Sequence, residues 1–377
     1  MSAGRRPEDI PFDATRLANP ATAALRAYDP GHDLPALRRR FGAAIAELGS
    51  NENPLGPSPR ALEAMRAALA ESWRYPDPRG AALKGALAQR LGVAVDRIAL
   101  GNGSHELLML LAQCFADPAH SIVFSQYGFA VFPIATAAAG ARAIGVPALA
   151  RDHAQAPFGH DLDVIADAVR ADTRIVYLAN PNNPTGTWFD DAALERFLGR
   201  VARDVLVVVD EAYHEYVDLP GLGTALGFAA RHPNLVVTRT FSKAYALAGV
   251  RVGYLVAHAS VVGVLERLRE SFNVNNVALA GAEAALADRE HLERARAFNR
   301  DERAWLRDAL AARGHAALPS QTNFLLVDLG RDATGFERHL FERGVIVRPM
   351  GGYGLGHAVR ISVGSRAENQ RLLDALP

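Results

Sequence analysis

Seven short apolar runs alternate with helical segments through the middle of the chain. The runs are rich in Val, Ile and Leu, and several are apolar at nearly every position. Continuous apolar strands separated by helices are typical of a mostly parallel sheet with both faces covered by helices. The pattern therefore predicts an α/β fold with strands at about 98–100, 121–124, 143–146, 174–179, 205–209, 235–240 and 252–257.

The pattern changes in the last third of the chain. Long amphipathic helices are predicted at about 260–272 and 291–313, and short strands follow at about 324–328, 345–348 and 359–363. We interpret this part as a smaller α+β lobe, to which a short helix over 37–48 also belongs. The predicted units are an N-terminal arm over 1–27, a small domain of 28–50 with 271–377, and a large domain over 51–270.

Composition narrows the class of protein. Of 377 residues, 49% are hydrophobic and 22% are charged, as in ordinary soluble globular proteins. The net charge of zero gives no electrostatic reason to expect nucleic acid or an anionic membrane as a partner. The single cysteine, the lack of long apolar runs and a polar N-terminus favour the cytoplasm. No metal site is predicted, since paired cysteines and His-Glu-x-x-His are absent from the sequence.

Lysine is rare in this chain, and one of its lysines has an unusual setting. Of the 41 Lys and Arg residues, only Lys84 and Lys243 are lysines. Lys243 follows a predicted strand, with the hydroxyls of Thr240 and Ser242 before it and Arg251 after it. A lysine amine can lose its proton and attack a carbonyl, which a guanidinium does not do. The set suits a phosphorylated aldehyde, pyridoxal 5′-phosphate; the alternative is a solvated surface lysine.

Other strand ends carry polar or aromatic groups as well. Active sites of open α/β sheets lie at the carboxyl ends of the strands. Gly101–Glu106 opens a helix, whose free backbone N–H groups can hold a phosphate, although such a sequence is often only a turn. Tyr127 would lie flat against a pyridine ring or belong to the core. Asn183 lies in the rigid segment Asn-Pro-Asn-Asn-Pro-Thr-Gly, which can aim one amide into a site.

An acidic residue ends the most apolar of the predicted strands. Asp210 follows five apolar residues, and an isolated buried carboxylate is costly unless it is paired. A pyridinium N–H would pair with this carboxylate, and a ring nitrogen that stays protonated makes the cofactor an electron sink. The alternative is that Asp210 caps the next helix. Tyr213, three residues on, would donate to the phenolic oxygen of the same cofactor beside Asn183.

These motifs together resemble those of fold-type I pyridoxal-phosphate aminotransferases. The carriers are the Asn-Pro-Asn-Asn-Pro-Thr-Gly segment, Asp-Glu-Ala-Tyr after residue 209, and Ser-Lys-Ala-Tyr-Ala-Leu-Ala-Gly-Val-Arg-Val-Gly-Tyr from Ser242. The segments 50–59 and 347–364 narrow the resemblance to the histidinol-phosphate aminotransferase group. It covers about residues 28–376 and implies a large lobe with a mostly parallel sheet, a smaller α+β lobe and a homodimer with shared active sites.

The resemblance implies a role for each candidate residue. Lys243 would carry the covalent link to the cofactor, Asp210 would pair with the ring nitrogen, and Asn183 and Tyr213 would hold the phenolic oxygen. Tyr127 would stack on the ring. The remaining assignments are phosphate contacts from the backbone of Ser104 and His105, from Thr240, Ser242 and Arg251, and from Tyr75 of the neighbouring subunit, and substrate contacts from Tyr28, Asn183, Arg348 and Arg360.

The identity of the substrate stays open at this point. The expected reaction is ping-pong amino transfer from L-histidinol phosphate to 2-oxoglutarate, with Arg348 and Arg360 binding anionic groups. If Arg348 is only a surface residue, Arg360 alone would bind an α-carboxylate and the enzyme would be an aromatic amino-acid aminotransferase. Threonine-phosphate decarboxylases share the cofactor set. A transcription regulator of aminotransferase type is not expected, since the short arm leaves no room for a DNA-binding domain.

Overall fold

A computed structural model describes residues 12–14, 17–23, 25, 33–42 and 45–377. The helices are α1 Pro20–Ala23, α2 Leu34–Phe41, α3 Pro59–Leu69, α4 Ala81–Leu91, α5 Ser104–Phe115, α6 Val131–Ala138, α7 Leu162–Asp167, α8 Asp191–Arg200, α9 Ala259–Leu268, α10 Asn276–Ala287, α11 Arg289–Ala311, α12 Thr334–Glu342 and α13 Arg366–Asp374. The strands are β1 Ala46–Glu47, β2 Ile98–Gly101, β3 Ser121–Ser125, β4 Arg142–Val146, β5 Thr173–Ala179, β6 Leu206–Asp210, β7 Leu235–Thr240, β8 Gly253–Val256, β9 Phe324–Asp328, β10 Val345–Ile346, β11 Arg348–Pro349 and β12 Ala358–Ser362.

The seven strands predicted for the middle of the chain form one sheet. Their order is β2-β8-β7-β6-β5-β3-β4. The pairs from β7 to β4 are all parallel, and only β8 runs antiparallel to both of its neighbours. The prediction of an α/β fold with a mostly parallel sheet is confirmed.

Helices cover both faces of this sheet because its strands are apolar on both sides. Successive side chains of a strand point to opposite faces, and in β6 Val208 packs into one apolar cluster while Val207 and Val209 pack into another. The first cluster includes residues of α5 and α6, and the second includes residues of α8. Burial of each such side chain stabilises the fold by about 1.5–3 kcal/mol.

The other strands of the described residues form two smaller sheets. Strands β9, β12 and β11 make an antiparallel sheet, and β1 pairs in parallel with β10. The predicted helix over 37–48 is wrong in its second half. It ends at Phe41, where Gly42 adopts a left-handed backbone with φ of 70°, and Ala46–Glu47 then pair with Val345–Ile346. This pairing brings the segment that follows, Leu48–Asn51, beside β12, where Ser362 N donates to Leu48 O.

The other helices differ from the predictions mainly at their ends. Ser58 caps α3 as predicted, with its hydroxyl accepting from Ala61 N at 3.0 Å. The helix predicted over 260–272 ends at Leu268, and α10 follows as a separate helix that was not predicted. No helix within the described residues has the length and apolar character needed to cross a membrane. The division into large and small domains stays a prediction.

Candidate active site

A cavity of about 260 Å³ lies where the parallel strands end, between the large sheet and the antiparallel sheet of β9, β11 and β12. Its wall is built from the loops after β2, β5, β6 and β7, together with the segment around residue 50. It contains eleven of the predicted site residues, Ser104, His105, Asn183, Asp210, Tyr213, Thr240, Ser242, Lys243, Arg251, Arg348 and Arg360. Residues spread over 257 positions of the sequence therefore meet around one space.

Lys243 is the amine of this cavity. It lies three residues beyond the end of β7, and its Nζ donates to the carbonyl oxygens of Ser50 at 3.3 Å and Asn51 at 3.2 Å. Burial and the neighbouring charge of Arg360 lower the pKa of Lys243 to about 8. A substantial share of the amine is therefore neutral near pH 8, which is the form that attacks carbonyl carbon.

Asp210 is the carboxylate of the cavity and ends β6. Its side chain is buried, and Oδ1 accepts from Thr238 Oγ1 at 2.8 Å, across the register pair that the two residues form. Burial raises the pKa of Asp210 to about 7, with the charge of Glu211 adding to the effect and Thr238 opposing it. A cationic N–H placed against this carboxylate would stabilise its ionised form.

The next residue faces the other side of the sheet and has its own partner. Glu211 Oε2 accepts from Arg239 Nε at 2.9 Å and from Arg239 Nη2 at 2.7 Å. Thr224 and the backbone of Ala225 also donate to this carboxylate. Although burial works against ionisation, the Arg239 guanidinium holds the pKa of Glu211 below its usual value. The two adjacent acids thus have separate environments.

One end of the cavity is suited to a phosphate group. Helix α5 begins there at Ser104, after Gly103 in a positive-φ conformation of 86°, and a Cβ at Gly103 would collide with Arg251 Nη2. Thr240 Oγ1 donates to Ser242 Oγ at 2.9 Å, and Arg251 Nη1 reaches Ser242 Oγ at 3.3 Å. Free N–H groups of a helix start, hydroxyls and a guanidinium together bind phosphate oxygens well.

His105 contributes to this end through its position in the first turn of α5. Burial and the charge of Arg251 lower the pKa of His105. The imidazole is therefore neutral at neutral pH and adds no charge to the phosphate end. We assign the backbone N–H of His105, rather than its side chain, to the anion.

The hydroxyl-bearing Tyr213 and the amide-bearing Asn183 both line the cavity. Tyr213 is buried, packs edge-on against Phe324 with ring centroids 5.3 Å apart, and its Oη accepts from Asn51 Nδ2 at 3.0 Å. Asn183, whose peptide bond to Pro184 is cis, accepts from Arg360 Nη1 at 2.7 Å through its side-chain oxygen. Asn51 was not predicted as a site residue, because one asparagine in a Pro-rich loop carries no signal of its own.

Two arginines face the cavity from the antiparallel sheet. Arg348 in β11 and Arg360 in β12 are register partners, so their side chains leave the same face of the sheet. Arg360 is buried and donates from Nη2 to the carbonyl oxygen of Gly49 at 2.7 Å, while its Nε is buried without a hydrogen-bond partner in the described structure. Arg348 lines the same cavity.

Two predicted site residues, Tyr127 and Tyr75, lie outside the cavity wall, and a third, Tyr28, is not among the described residues. The cavity wall contains Phe129 where Tyr127 was expected, and the Tyr127 ring packs edge-on against Phe158 with centroids 5.5 Å apart. Tyr75 is 83% exposed and stacks on Phe272 at a centroid distance of 4.6 Å, outside the cavity of its own chain. Tyr28 lies outside the described residues. The roles given to these three tyrosines stay predictions.

The donor set fits pyridoxal phosphate on the geometry alone. Asp210 and Lys243 line the same cavity, and a phosphate-binding helix start lies at one end of it. The lack of a side chain at Gly103 lets the Arg251 guanidinium approach the start of this helix, since a Cβ there would collide with Arg251 Nη2. Pyridoxal phosphate has an aldehyde, a ring nitrogen and a phosphate. The cavity wall has an amine for the first, a carboxylate for the second and an anion site for the third.

Comparison with known proteins gives a consistent family. Residues 44–376 match the family model for aminotransferase class I and II. Histidinol-phosphate aminotransferase 2 of Pseudomonas aeruginosa is 49% identical over 367 residues, which are 97% of this chain and 98% of that protein. Histidinol-phosphate aminotransferase 1 of Nitrosococcus oceani is 46% identical over 362 residues, 96% of each chain.

Solved structures agree with these relatives. The crystal structure of histidinol-phosphate aminotransferase from Sinorhizobium meliloti in complex with pyridoxal-5′-phosphate superimposes with a TM-score of 0.85 at 33% identity, covering 96% of each chain. Aspartate aminotransferase from Thermus thermophilus with maleate gives a TM-score of 0.82 at 23% identity, over 95% of this chain and 98% of that one. At that identity the second likeness concerns the fold alone.

Proposed function

Because the chain belongs to the class I and II aminotransferase family, we propose that it transfers the amino group of L-histidinol phosphate to 2-oxoglutarate with pyridoxal 5′-phosphate as cofactor. The products are imidazole acetol phosphate and L-glutamate, which places the enzyme in histidine biosynthesis. The observation that carries the proposal is the single cavity in which Lys243, Asp210, Arg348 and Arg360 meet. An amine, an acid and two anion-binding groups are what this chemistry needs.

The cofactor and the residues that hold it have distinct tasks. Pyridoxal phosphate supplies an aldehyde carbon and a ring that withdraws the electron pair left when a proton leaves the substrate carbon. Asp210 pairs with the ring nitrogen and keeps it protonated, while Asn183 and Tyr213 orient the ring through its phenolic oxygen. The phosphate is held by the start of α5 at Ser104 and His105, and by Thr240, Ser242 and Arg251.

Lys243 performs the proton transfer. While the bound cofactor would withdraw the electron pair left on the substrate carbon, the Lys243 amine would take up the proton of that carbon and release it again within the cavity. Its lowered pKa of about 8 lets the neutral form act as a base near neutral pH. Transfer of this kind contributes about 10²–10⁴-fold to the rate.

Arg348 and Arg360 recognise the anionic ends of the two substrates. Ping-pong transfer requires one pocket to accept an amino donor and a dicarboxylate in turn, and a phosphate and a carboxylate can both bind a guanidinium fork. Arg360 is oriented by Asn183 and Gly49, at 2.7 Å each. We assign it to both substrates, and Arg348 mainly to the phosphorylated donor.

The test compares amino donors and the two arginines. Histidinol phosphate should exceed phenylalanine, tyrosine and threonine phosphate in kcat/KM. Arg360→Ala should impair both half-reactions, and Arg348→Ala should lower kcat/KM for histidinol phosphate by about tenfold or more, from a charge-assisted bond of about 1.5–3 kcal/mol. Better turnover of aromatic amino acids, unchanged by Arg348→Ala, would favour an aromatic aminotransferase. Carbon dioxide release without a 2-oxo acid would favour a decarboxylase.

We also propose a homodimer that shares its two active sites, in the cytoplasm. Tyr75 stacks on Phe272, and three further apolar side chains close to them in the sequence, Leu69, Trp73 and Leu268, are each more than half exposed. Apolar side chains exposed in this way are typical of protein interfaces. Tyr75 would extend from its own subunit to the phosphate end of the partner's cavity, and Tyr28 would close over the substrate.

A further inference from the structure

Asn51 occupies an unusual position at the edge of the cavity. It is 1% exposed and has a left-handed backbone, with φ of 57°, in the segment that passes between the two larger sheets. Its carbonyl oxygen accepts from Lys243 Nζ at 3.2 Å and from Asn323 Nδ2 at 3.0 Å. The main chain of this one residue therefore positions the amine, while its side chain points to another group.

The Asn51 side chain links Ser362 to Tyr213. Ser362 Oγ accepts from Asn51 N at 2.7 Å and donates to Asn51 Oδ1 at 3.1 Å. Because Oδ1 is turned to this hydroxyl, Nδ2 is turned to Tyr213 Oη, at 3.0 Å. Asn51, Ser362 and Tyr213 are all buried. Because Ser362 Oγ accepts from a backbone N–H and donates to Asn51 Oδ1, the Asn51 amide nitrogen is the donor to Tyr213.

The direction of the bond at Tyr213 has a chemical consequence. A phenol that accepts a hydrogen bond from an amide keeps its own hydrogen for another acceptor, and it becomes a stronger donor because linked hydrogen bonds polarise one another. Tyr213 lines the cavity, so its O–H is directed to an acceptor held there. Asn51 thereby determines that Tyr213 donates rather than accepts.

The same chain of bonds reaches the substrate-binding strand. Ser362 and Arg360 are two residues apart in β12, so both side chains leave the same face. The Ser362 hydroxyl contacts Asn51, and the Arg360 guanidinium contacts Gly49 two residues earlier in the same segment. The strand that carries the anion-binding arginine is thus tied to the phenol by one side chain.

We propose that Asn51, supported by Ser362, is a positioning residue that makes Tyr213 a hydrogen-bond donor to the phenolic oxygen of the cofactor. This inference rests on the proposed function, since it requires pyridoxal phosphate in the cavity. A bond donated to that oxygen lowers its affinity for a proton. Asn51 should therefore lower the pKa at which the absorption band of the bound cofactor titrates.

The test is a pH titration of that absorption band in the holoenzyme. Asn51→Gly keeps the left-handed backbone accessible and removes the amide, so the midpoint should rise by a few tenths of a pH unit. Asn51→Asp replaces the donor with an acceptor that competes for the Tyr213 hydrogen. Its midpoint should rise by about one pH unit, close to that of Tyr213→Phe. Ser362→Ala should fall between wild type and Asn51→Asp.

The control is Asn53→Ala in the same loop, whose side chain donates to the carbonyl oxygen of Ala244 at 2.9 Å and accepts from Leu55 N at 3.0 Å. Neither bond involves Tyr213, so the midpoint of this variant should not move. Midpoints of Asn51→Gly and Asn51→Asp equal to that of wild type, with Tyr213→Phe shifted, would overturn the inference. If Asn51→Asp does not fold, the inference is tested by comparing the titration midpoint of Asn51→Gly with that of Tyr213→Phe. A wild-type protein without a titrating band would instead overturn the proposed cofactor, which separates the two failures.

Discussion

Lys243 and Asp210 lie in one cavity, and burial shifts their pKa values toward each other, to about 8 and about 7. Borohydride reduction of the holoenzyme should fix the cofactor to Lys243, and Lys243→Arg should abolish the link and nearly all turnover, because a guanidinium stays protonated. Peptide mapping checks this. Lys84, whose Nζ is paired with Glu266 at 3.1 Å, is the matched control; a label at Lys84 would contradict the site.

The lowered pKa of Lys243 also predicts how cofactor attachment depends on pH. Only the neutral amine attacks the aldehyde, so the attachment rate should rise about tenfold per pH unit and level off above about 8. Stopped-flow absorbance on the apo-protein measures it. The charge of Arg360 is part of the cause, so Arg360→Ala should move the inflection to higher pH. An inflection near pH 10.4, that of an ordinary lysine, would contradict the prediction.

Side chains with a strong chemical signal were predicted from the sequence, and those with a purely geometric role were not. A lysine in an arginine-rich chain and an acid after five apolar residues need an explanation wherever they lie. Asn51, Thr238 and Phe129 are ordinary residues whose importance comes from what folding places beside them. Tyr127 and Phe129 are two positions apart, and the pattern could not tell which of the two rings lines the cavity.

Helix α5 reaches the phosphate end because β8 lets it approach closely. A Cβ at Gly253 would lie 2.6 Å from Ser104 N and 2.8 Å from Arg239 O, so Gly253→Ala should push the helix start away. We expect a loss of about 1–3 kcal/mol in stability and weaker cofactor binding, measured by urea unfolding and by fluorescence titration. Gly263→Ala in α9, with open space around it, is the control and should leave cofactor binding unchanged. Equal cofactor affinity in both variants would contradict the prediction.

Long buried strands were predictable, and short exposed or paired segments were not. Six of the seven strands of the central sheet are buried along nearly their whole length, whereas the edge strand β4 is mostly exposed and only its last residue, Val146, is buried. The two-residue strands β1 and β10 exist only through their mutual pairing, which no local pattern encodes. The same pairing overrode the helical pattern after Gly42, where the left-handed backbone ends α2.

The exposed Tyr75 and the exposed apolar side chains near it in the sequence lead to a prediction about assembly. A mixture of Tyr75→Ala and Lys243→Ala subunits, each inactive alone, should recover partial activity, since a mixed dimer contains one intact site. Activity assays after denaturant-assisted subunit exchange, with exchange verified by mass, measure it. Tyr216→Phe mixed with Lys243→Ala is a control for exchange itself, since Tyr216 is buried within its own chain. No recovery despite exchange would show that Tyr75 acts within its own subunit.

The buried pair of Glu211 and Arg239 has a consequence for how variants of this protein would present in a cell. Its neighbour Asp210 faces the cavity, so a change there removes chemistry and leaves the amount of folded protein nearly intact. Glu211→Gln removes the negative charge that pairs with the buried Arg239 guanidinium. Loss of one partner of a buried ion pair is strongly destabilising. Both changes would give the same growth defect, yet only the second would deplete the protein. The amount of folded protein in the cell, rather than the growth defect, would then distinguish the roles of these two adjacent acidic residues.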